Sequence, residues 1–346
     1  MKGMERATIR DVAKAAGVSI TTVSMVLNNY PGISDETKKR VEEIALSMNY
    51  VPNSAGRSLG GITEPVIGLL INNLMPEEPS GAVYGFLSGM CYACRDNNIG
   101  FLLITTDKKD QKKNNLKRVC LSKGLSGLVC CGFRLNDPFI QEIAEGKVDI
   151  PCACIDIQVD NPMVDNISID NVRAADEAVS FLTGIGRKNI ALVNSSDTVD
   201  VSLRRTAGYK AALERAGLPI LPERIVNGEF EEITAYEKVK RLLKKDKKID
   251  AVFCISDLMA LGACRAAEEA GLKIGKDIMV VGFDDIPAAK YLYGGLTTVR
   301  QDFFRMGYAA GCNVYGKLKG APPEDAEKLY YELVVRGSAR QPAPVE

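Results

Sequence analysis

The chain of 346 residues contains no histidine and no tryptophan, and its 44 basic residues balance its 44 acidic residues. Without histidine, Ser–His–Asp and Cys–His catalysis are excluded, together with the commonest general base. Because the net charge is zero, no broad basic surface is implied, and we expect any binding of nucleic acid to use a local patch with specific contacts. No apolar run approaches the length of a membrane helix, and residues 1–10 are not followed by the apolar core of a signal peptide. We therefore expect a cytoplasmic protein that does not contact a membrane.

Motifs for metals and cofactors are also missing. The ten cysteines lie mostly in or beside apolar runs such as GLVCC and IPCACID, which is typical of small buried side chains in a reducing compartment. Cys91 and Cys94 have the spacing of half a zinc site or of a redox pair, but no second CxxC and no histidine complete it. We favour two thiols along a buried helix. Neither GxGxxG after a strand nor GxxxxGK[ST] occurs, so no cofactor, no metal and no enzymatic activity are predicted.

The composition changes along the chain. Residues 1–60 show helix and turn patterns, and the stretch SLGGITEP at 58–65 predicts a linker. Beyond it, short apolar runs alternate with amphipathic segments, for example 171–185, 204–216, 233–245 and 258–270. The apolar runs begin at Val66, Ile99, Gly127, Cys152, Asn189, Asp250 and Asp277.

The alternation predicts an α/β architecture. Each crossover is long enough for a helix, so neighbouring strands should be parallel, with helices on both faces. A chain of this length can form two such doubly wound lobes. Ligands of this architecture bind at the carboxyl ends of the strands, and the natural site is the cleft between the two lobes.

The stretch TIRDVAKAAGVSITTVSMVLN at 8–28 predicts two short helices joined by a tight turn. Thr8 and Asp11 form a capping arrangement, Gly17 ends the first helix, and Ser19 can cap the second. A third helix begins after Ser34. On the second helix the inward positions are Val23, Val26 and Leu27, and the outward positions are Ile20, Thr21, Ser24, Met25 and Asn28. This is the helix-turn-helix design, in which the exposed row enters a DNA major groove; a small bundle with a non-functional exposed face is the alternative.

Several motifs, taken in order, are similar to those of one protein family. The N-terminal stretch and NYVPNSAGRSL at 49–59 are followed by DNVRAADEAVSFL, RRTAGYKAALERAGLP, SDLMALGACRAAEEAGL, VVGFDDIP, LTTVRQDF and YYELVVRGS. On these motifs the chain resembles the lactose-repressor/galactose-repressor (LacI/GalR) family of bacterial transcription regulators. The resemblance implies a small all-α helix-turn-helix headpiece at 1–52 and a hinge helix and linker at 53–64. It also implies an effector-binding and dimerisation core at 65–346, made of two doubly wound parallel-sheet lobes as in periplasmic binding proteins.

The resemblance further assigns DNA contacts residue by residue. The family's base-reading positions match Ile20, Thr21 and Met25. Positions that touch phosphate or support the docking match Thr8, Ser19, Thr22, Ser24, Asn28 and Tyr50. In the hinge, Leu59 matches a leucine that wedges into the minor groove, and Asn53, Ala55 and Gly56 accompany it. Phosphate contacts position the protein, whereas base contacts specify the sequence.

Two positions depart from the family's pattern. Met25 stands where arginine is very common, and methionine cannot form the two hydrogen bonds by which arginine recognises guanine. We therefore predict an operator without that guanine. Gly56 stands where alanine is frequent, and glycine costs up to about 1 kcal/mol inside a helix. This predicts a hinge that is reluctant to fold without DNA; the alternative is that Gly56 lets the backbone approach the groove closely.

The effector site is also assigned by the resemblance. Arg205 and Asp284 match the pair that hydrogen-bonds the effector, and the remaining candidates are Asp156, Phe230, Ser256 and Tyr84. Such a set suits a polyol, because arginine and carboxylates bind vicinal hydroxyls while an aromatic face covers a sugar ring. In the alternative, Asp284 and Asp285 cap a turn and Arg205 forms a surface ion pair. Residues 72–85 do not match the family, and Tyr84 is the candidate from that segment.

The expected function is that of a repressor. The resemblance implies that two headpieces of a homodimer bind a near-palindromic operator and that a small sugar-like effector binds in the core. We favour an effector that acts as inducer, as in most of the family; an effector that acts as co-repressor is the alternative. No leucine heptad follows the core, so a tetramer is not expected. The alternatives are a cytoplasmic small-molecule sensor without a DNA role, and an enzyme that uses Asp156, Asp284 or a thiol.

Overall fold

The computed structural model describes residues 7–27, 30–48, 50, 65–74, 81–321 and 329–340. It divides the chain into two compact units, Met1–Glu64 and Pro65–Glu346. The predicted contacts Asn28, Asn53, Ala55, Gly56 and Leu59 lie outside the described residues.

The described residues of the first unit form helices and the turns between them. Its helices are α1 (Ile9–Ala16), α2 (Ile20–Leu27) and α3 (Asp35–Ser47). Thr8 and Asp11 form the predicted capping box, and Gly17 ends α1 in the left-handed region at φ 65°. Ser34 caps α3 through the N–H of Thr37. Small apolar side chains fill the core between the helices: Val12, Ala13, Ala16, Val23, Val26, Val41 and Ala45.

The first lobe of the second unit is built on a parallel sheet. Its strands are β1 (Val66–Asn72), β2 (Gly100–Thr106), β3 (Gly127–Cys131), β4 (Cys152–Ile155) and β5 (Val164–Ile167), in the spatial order β2-β1-β3-β4-β5. The helices between these strands are α4 (Ala82–Asp96), α5 (Lys108–Lys113), α6 (Leu116–Ser122) and α7 (Pro138–Ala144). All of its strand pairs are parallel, as the βαβ pattern predicts.

The second lobe carries the other sheet. Its strands are β6 (Ile190–Asn194), β7 (Ile225–Asn227), β8 (Ala251–Cys254), β9 (Met279–Asp284), β10 (Thr297–Gln301) and β11 (Tyr331–Val334), in the order β11-β10-β9-β8-β6-β7. The helices of this lobe are α8 (Asn171–Gly184), which precedes β6, and α9 (Asp200–Arg215), α10 (Glu232–Lys245) and α11 (Asp257–Glu269), which connect its strands. Only the β10–β11 pair is antiparallel among the described strands.

The chain crosses back to the first lobe after β10. Helix α12 (Phe303–Leu318) packs there against α4 and against strands β1, β3, β4 and β5, and its buried side chains share a core with Ile67, Leu69 and Val129. Helices α4 and α12 can pack this closely because Gly89 has no Cβ. A Cβ at this position would lie 2.1 Å from the carbonyl oxygen of Phe304. The first lobe therefore contains two separate stretches of the chain.

The predicted fold class is confirmed. Each predicted apolar run contains a strand, whereas the short strands β5, β7, β10 and β11 were not predicted as strands from the pattern. Eight cysteines are buried, among them Cys94, whose pKa burial raises to about 12. Cys91 is exposed, so the prediction that both thiols of CYAC are buried is wrong for Cys91, which lies on the solvent side of α4. Among the described residues, no helix is long and apolar enough to cross a membrane.

Candidate functional site

The outward face of α2 is apolar where the helix begins. Ile20 leads the helix with 45 % of its surface exposed, Thr21 is exposed, and Met25 is half-buried one turn later. Val23 and Val26 point the other way and are buried in the core of the first unit. A β-branched apolar residue at an exposed helix start contributes nothing to this core, and its methyl groups are free to contact base edges in a groove.

Four of the residues predicted to contact phosphate take part in local hydrogen bonds. The N–H of Thr22 donates to Ser19 Oγ at 3.0 Å, and the two hydroxyl oxygens lie 2.8 Å apart. Thr8 Oγ1 donates to Asp11 Oδ2 at 2.6 Å, and these bonds from Thr8 lower the pKa of Asp11. Tyr50 is half-buried against the core, and its N–H donates to the carbonyl of Ala45.

A cavity of about 440 Å³ lies between the two lobes of the second unit. The ends of strands from both sheets reach it, which is where doubly wound sheets bind ligands. Asn72 ends β1, Asp156 follows β4, Asp284 ends β9 and Gln301 ends β10. Five of the six predicted effector residues line it: Asp156, Arg205, Phe230, Ser256 and Asp284.

Arg205 projects from α9 and is 2 % exposed. Its Nε donates to Asn171 Oδ1 at 2.7 Å, and its Nη1 donates to the carbonyl of Ile255 at 2.5 Å. The guanidinium lies 3.6 Å above the ring of Phe283, and Asp284 Oδ1 is 3.8 Å from Nη1. Burial lowers the pKa of Arg205, and the charge of Asp284 opposes that shift. Arg205 is thus not a surface ion pair but a buried and oriented cation.

Two of the carboxylates that line the cavity have unusual backbone conformations. Asp156 has φ 57° and Asp284 has φ 115°, in a region that non-glycine residues rarely occupy. Gln301 Nε2 donates to Asp284 Oδ1 at 2.7 Å, and Ser168 Oγ donates to Asp156 Oδ1 at 2.6 Å. Burial raises the pKa of Asp156, although the charge of Arg205 lowers it. Such local strain is typical of functional sites, because only surrounding structure maintains it.

Phe230 and Ser256 complete the predicted group. Phe230 has φ 60°, follows β7, and places an aromatic ring on the cavity wall. Ser256 caps α11 through the N–H of Met259. The neighbouring Asp257 is fully buried and accepts hydrogen bonds from Thr298 Oγ1 at 2.6 Å and from the N–H of Ile286 at 2.9 Å. Burial raises the pKa of Asp257 to about 8.

Asp285 does not share the cavity with Asp284. Its carboxylate pairs with Arg300 at 2.7 Å and with Arg336 at 2.6 Å. Burial opposes ionisation, but the hydrogen bonds from Arg336 and Arg300 outweigh it, and the pKa of Asp285 is lowered. Asp285 therefore stabilises the second lobe rather than the ligand wall.

Tyr84 does not line the cavity. It is 74 % exposed, whereas Ala82 and Phe86 of the same helix line the wall. Because a helix turns by about 100° per residue, a residue two positions from Ala82 and from Phe86 points to the opposite side.

Sequence reasoning missed several lining residues, most notably Asn72, Arg134 and Gln301. Asn72 and Gln301 are the final residues of strands, a position that signals a ligand edge once the strands are known. Arg134 follows β3 in the same way, three residues after its last residue.

A helix-turn-helix unit joined to a two-lobed ligand-binding core defines a DNA-binding regulator controlled by a small molecule. Comparison with known proteins supports this class. Residues 8–53 match the lacI family of bacterial regulatory proteins, and residues 179–339 match the periplasmic binding protein-like domain. The chain is 34% identical to the transcriptional repressor PurR of Histophilus somni, over 96% of this chain and 99% of that protein.

Solved structures of transcription regulators have a similar fold over nearly the whole chain. The Lac repressor bound to ONPG in the repressed state has a TM-score of 0.80 and 25% identity, covering 97% of this chain and 100% of that one. The complex of the transcriptional regulator CelR with cellobiose has a TM-score of 0.71 and 26% identity, covering 96% of this chain and 100% of that one. The chain belongs to the LacI family of bacterial regulatory proteins, and it is a DNA-binding transcription regulator.

Proposed function

We propose that the chain is a repressor whose homodimer binds a near-palindromic operator and is released by a sugar-like effector in the interlobe cavity. The observation that carries the effector site is the buried Arg205 beside Asp284 at the carboxyl ends of the strands. Arginine and carboxylates suit vicinal hydroxyls, and Phe230 offers an aromatic face to a ring. The structure of CelR with cellobiose supports an effector of this kind.

The proposed layout is a headpiece at 1–52, a hinge at 53–64 and a core at 65–346. Ile20, Thr21 and Met25 contact base edges, while Thr8, Ser19, Thr22, Ser24 and Tyr50 position the headpiece on phosphates. The exposure of Ile20 and Thr21 on α2 supports this division. Asn28, Asn53, Ala55, Gly56 and Leu59 are assigned by resemblance alone. The protein acts in the cytoplasm, and the proposal assigns it no catalytic step.

Coupling follows from two ligands that favour different states of one dimer. An effector that binds better to the DNA-free state lowers operator affinity, typically by 1–3 kcal/mol of coupling free energy. By the same linkage, operator DNA lowers the affinity for the effector.

The test begins with operator selection from random duplexes by the purified full-length protein. Binding of the selected duplex is then measured by fluorescence anisotropy at several salt concentrations, with and without a panel of sugars. We expect log affinity to fall linearly with log salt, and one class of sugar to weaken binding. Absence of any sequence preference, with and without sugars, contradicts the proposal.

A matched pair of aromatic substitutions tests the cavity. Phe230→Ala should raise the sugar concentration needed for release by roughly tenfold, because it removes the ring that would cover the sugar. Tyr84→Ala should leave release unchanged, because Tyr84 lies outside the cavity. Equal effects of the two substitutions would argue against this cavity as the effector site.

A further inference from the structure

Arg134 is a charged residue of the cavity that the site described so far does not use. It lines the wall of the first lobe and is half-buried. The other charged lining residues have bonds within the protein: Asp156 with Ser168, Arg205 with Asn171, Glu229 with Asn227, and Asp284 with Gln301. Within the described residues, no hydrogen bond or ion pair involves the guanidinium of Arg134.

The backbone that carries Arg134 is firmly held. Its N–H donates to Asp137 Oδ2 at 2.8 Å, and Asp137 is 1 % exposed. The same oxygen accepts from Asn72 Nδ2 at 3.0 Å, and Asn72 Nδ2 also donates to the carbonyl of Gly132 at 3.2 Å. Arg134 is therefore mounted on a buried polar network that ties the loop after β3 to the end of β1, which orients a binding group in advance.

The loop also touches the second lobe. The N–H of Leu135 donates to the carbonyl of Thr198 at 2.8 Å, so the residue beside Arg134 is bonded across the mouth of the cleft. Arg134 on one lobe and the Arg205–Asp284 pair on the other thus line opposite walls of one cavity.

The charges on the two walls differ in their balance. On the second lobe Arg205 is faced by Asp284 at 3.8 Å, and Glu229 accepts a hydrogen bond from Asn227. Among the described residues, the only cation that lines this wall thus already has a carboxylate partner, and the wall suits neutral hydroxyls. On the first lobe the carboxylate is Asp156, and burial raises its pKa, which disfavours its charged form. A guanidinium without a carboxylate partner in such a cleft is complementary to an anionic group on the ligand.

We propose that the effector is an anionic sugar derivative whose carboxylate or phosphate binds Arg134 while its hydroxyls bind the Arg205–Asp284 wall. This inference rests on the proposed function, since it names the chemistry of the same effector. Arg134 is then a specificity residue that favours an acid over its neutral counterpart. A ligand that bridges both walls also stabilises the arrangement of the lobes in which the N–H of Leu135 donates to the carbonyl of Thr198.

The experiment is calorimetric titration of the full-length protein with matched sets of probes. Each set contains a neutral hexose, the corresponding hexuronate and aldonate, and the hexose 6-phosphate, in the glucose and galactose series. We expect one of the acids to bind at least tenfold more tightly than the hexose of its set. The arm that responds, carboxylate or phosphate, identifies the anionic group.

Three variants test the residue itself. Arg134→Gln should weaken binding of the acid by roughly tenfold to hundredfold, because a hydrogen bond to a charged group is lost, and should change binding of the neutral hexose by less than about twofold. Arg134→Lys keeps the charge and should retain part of the preference. Arg118→Gln, at an exposed position of α6 in the same lobe, should leave all affinities unchanged.

The outcomes are distinguishable. A neutral hexose that binds as tightly as its acids, or an Arg134→Gln variant that weakens both equally, overturns the inference and leaves the proposed function intact. No binding of any probe overturns the sugar-like effector together with the inference.

Discussion

The outward face of α2 and the cavity of the second unit differ in how their side chains are held before a ligand binds. Ile20 and Thr21 are exposed and make no contribution to the core, so the face is uncommitted until a partner arrives. Arg205, Asp284 and Asp156 are held by hydrogen bonds and sit in strained or buried positions. The base specificity of α2 can therefore change without loss of the fold, whereas the binding groups of the cavity also stabilise the structure around them.

The largest effect should follow from Arg205→Met. The substitution leaves Asp284 without its buried cation and removes the bonds to Asn171 and Ile255. Loss of one partner of a buried ion pair lowers the free energy of unfolding by about 3–5 kcal/mol, so the melting temperature of the core should fall markedly. As a control, Arg241→Met alters an exposed pair with Glu237 on α10 and should cost less than about 1 kcal/mol. Equal melting temperatures of the two variants would show that Arg205 does not form the buried ion pair and hydrogen bonds described above.

A pair of substitutions on α2 gives the next effect. Val23→Ala removes methyl groups from a fully buried position and should cost about 1–3 kcal/mol of headpiece stability. Ile20→Ala, three residues earlier, should change stability by less than about 0.5 kcal/mol yet weaken operator binding. Circular dichroism melting and anisotropy measure the two quantities. A stability loss at Ile20 as large as at Val23 would break the contrast between the faces of the helix.

The third prediction changes specificity without changing the fold. Met25→Arg places a guanidinium on the outward face of α2, where it can form two hydrogen bonds to guanine. Selection from random duplexes should then return guanine at the facing base, with a discrimination of about 1–3 kcal/mol that the wild type lacks. Met25→Leu serves as the apolar control and should select the wild-type sequence. If wild type already selects that guanine, the reasoning about Met25 is wrong.

The smallest expected effect is a pH dependence of the stability of the second unit near neutral pH. Burial raises the pKa of Asp257 to about 8, above the ordinary value of 3.8. The native state therefore holds a proton that the unfolded chain releases, so this stabilisation is complete below pH 3.8, declines with rising pH, and is gone above pH 8. Between pH 7 and 8 the loss should be about 1 kcal/mol.

Asp257→Asn isolates that contribution. Asparagine cannot ionise, and Thr298 can donate to its oxygen as it does to Asp257. The melting temperature of the wild type relative to the variant should fall as the pH is raised from 6 to 8.5. Parallel curves for the two proteins would show that Asp257 does not titrate in this window.

Sequence patterns were sufficient for the parts of the fold that have strong local signals. The capping box at Thr8, the left-handed Gly17 and the long apolar strands each follow from a few neighbouring residues. Strand β7 has three residues and β11 pairs at the sheet edge, and such short segments carry too little periodicity to be recognised.

The residues that line the cavity could be predicted from the sequence only in part. Arg205 and Asp284 were found because their motifs resemble those of a family, and the structure brings them within 3.8 Å. Arg134 and Gln301 were missed because their place in the cavity depends on the packing of two lobes, which no local pattern encodes. Tyr84 was chosen from the right segment but from the wrong side of its helix.

The return of the chain at α12 has a consequence for biosynthesis. The sheet of the first lobe has been translated at residue 167, but the second of the two helices that cover one of its faces ends at residue 318. Although domains emerging from the ribosome generally fold in order from the N-terminus, this lobe cannot close its core until nearly all of the second lobe has been synthesised. A nascent chain that stalls before α12 would have only α4 to cover Ile67, Leu69 and Val129, so part of this apolar face would stay exposed to water.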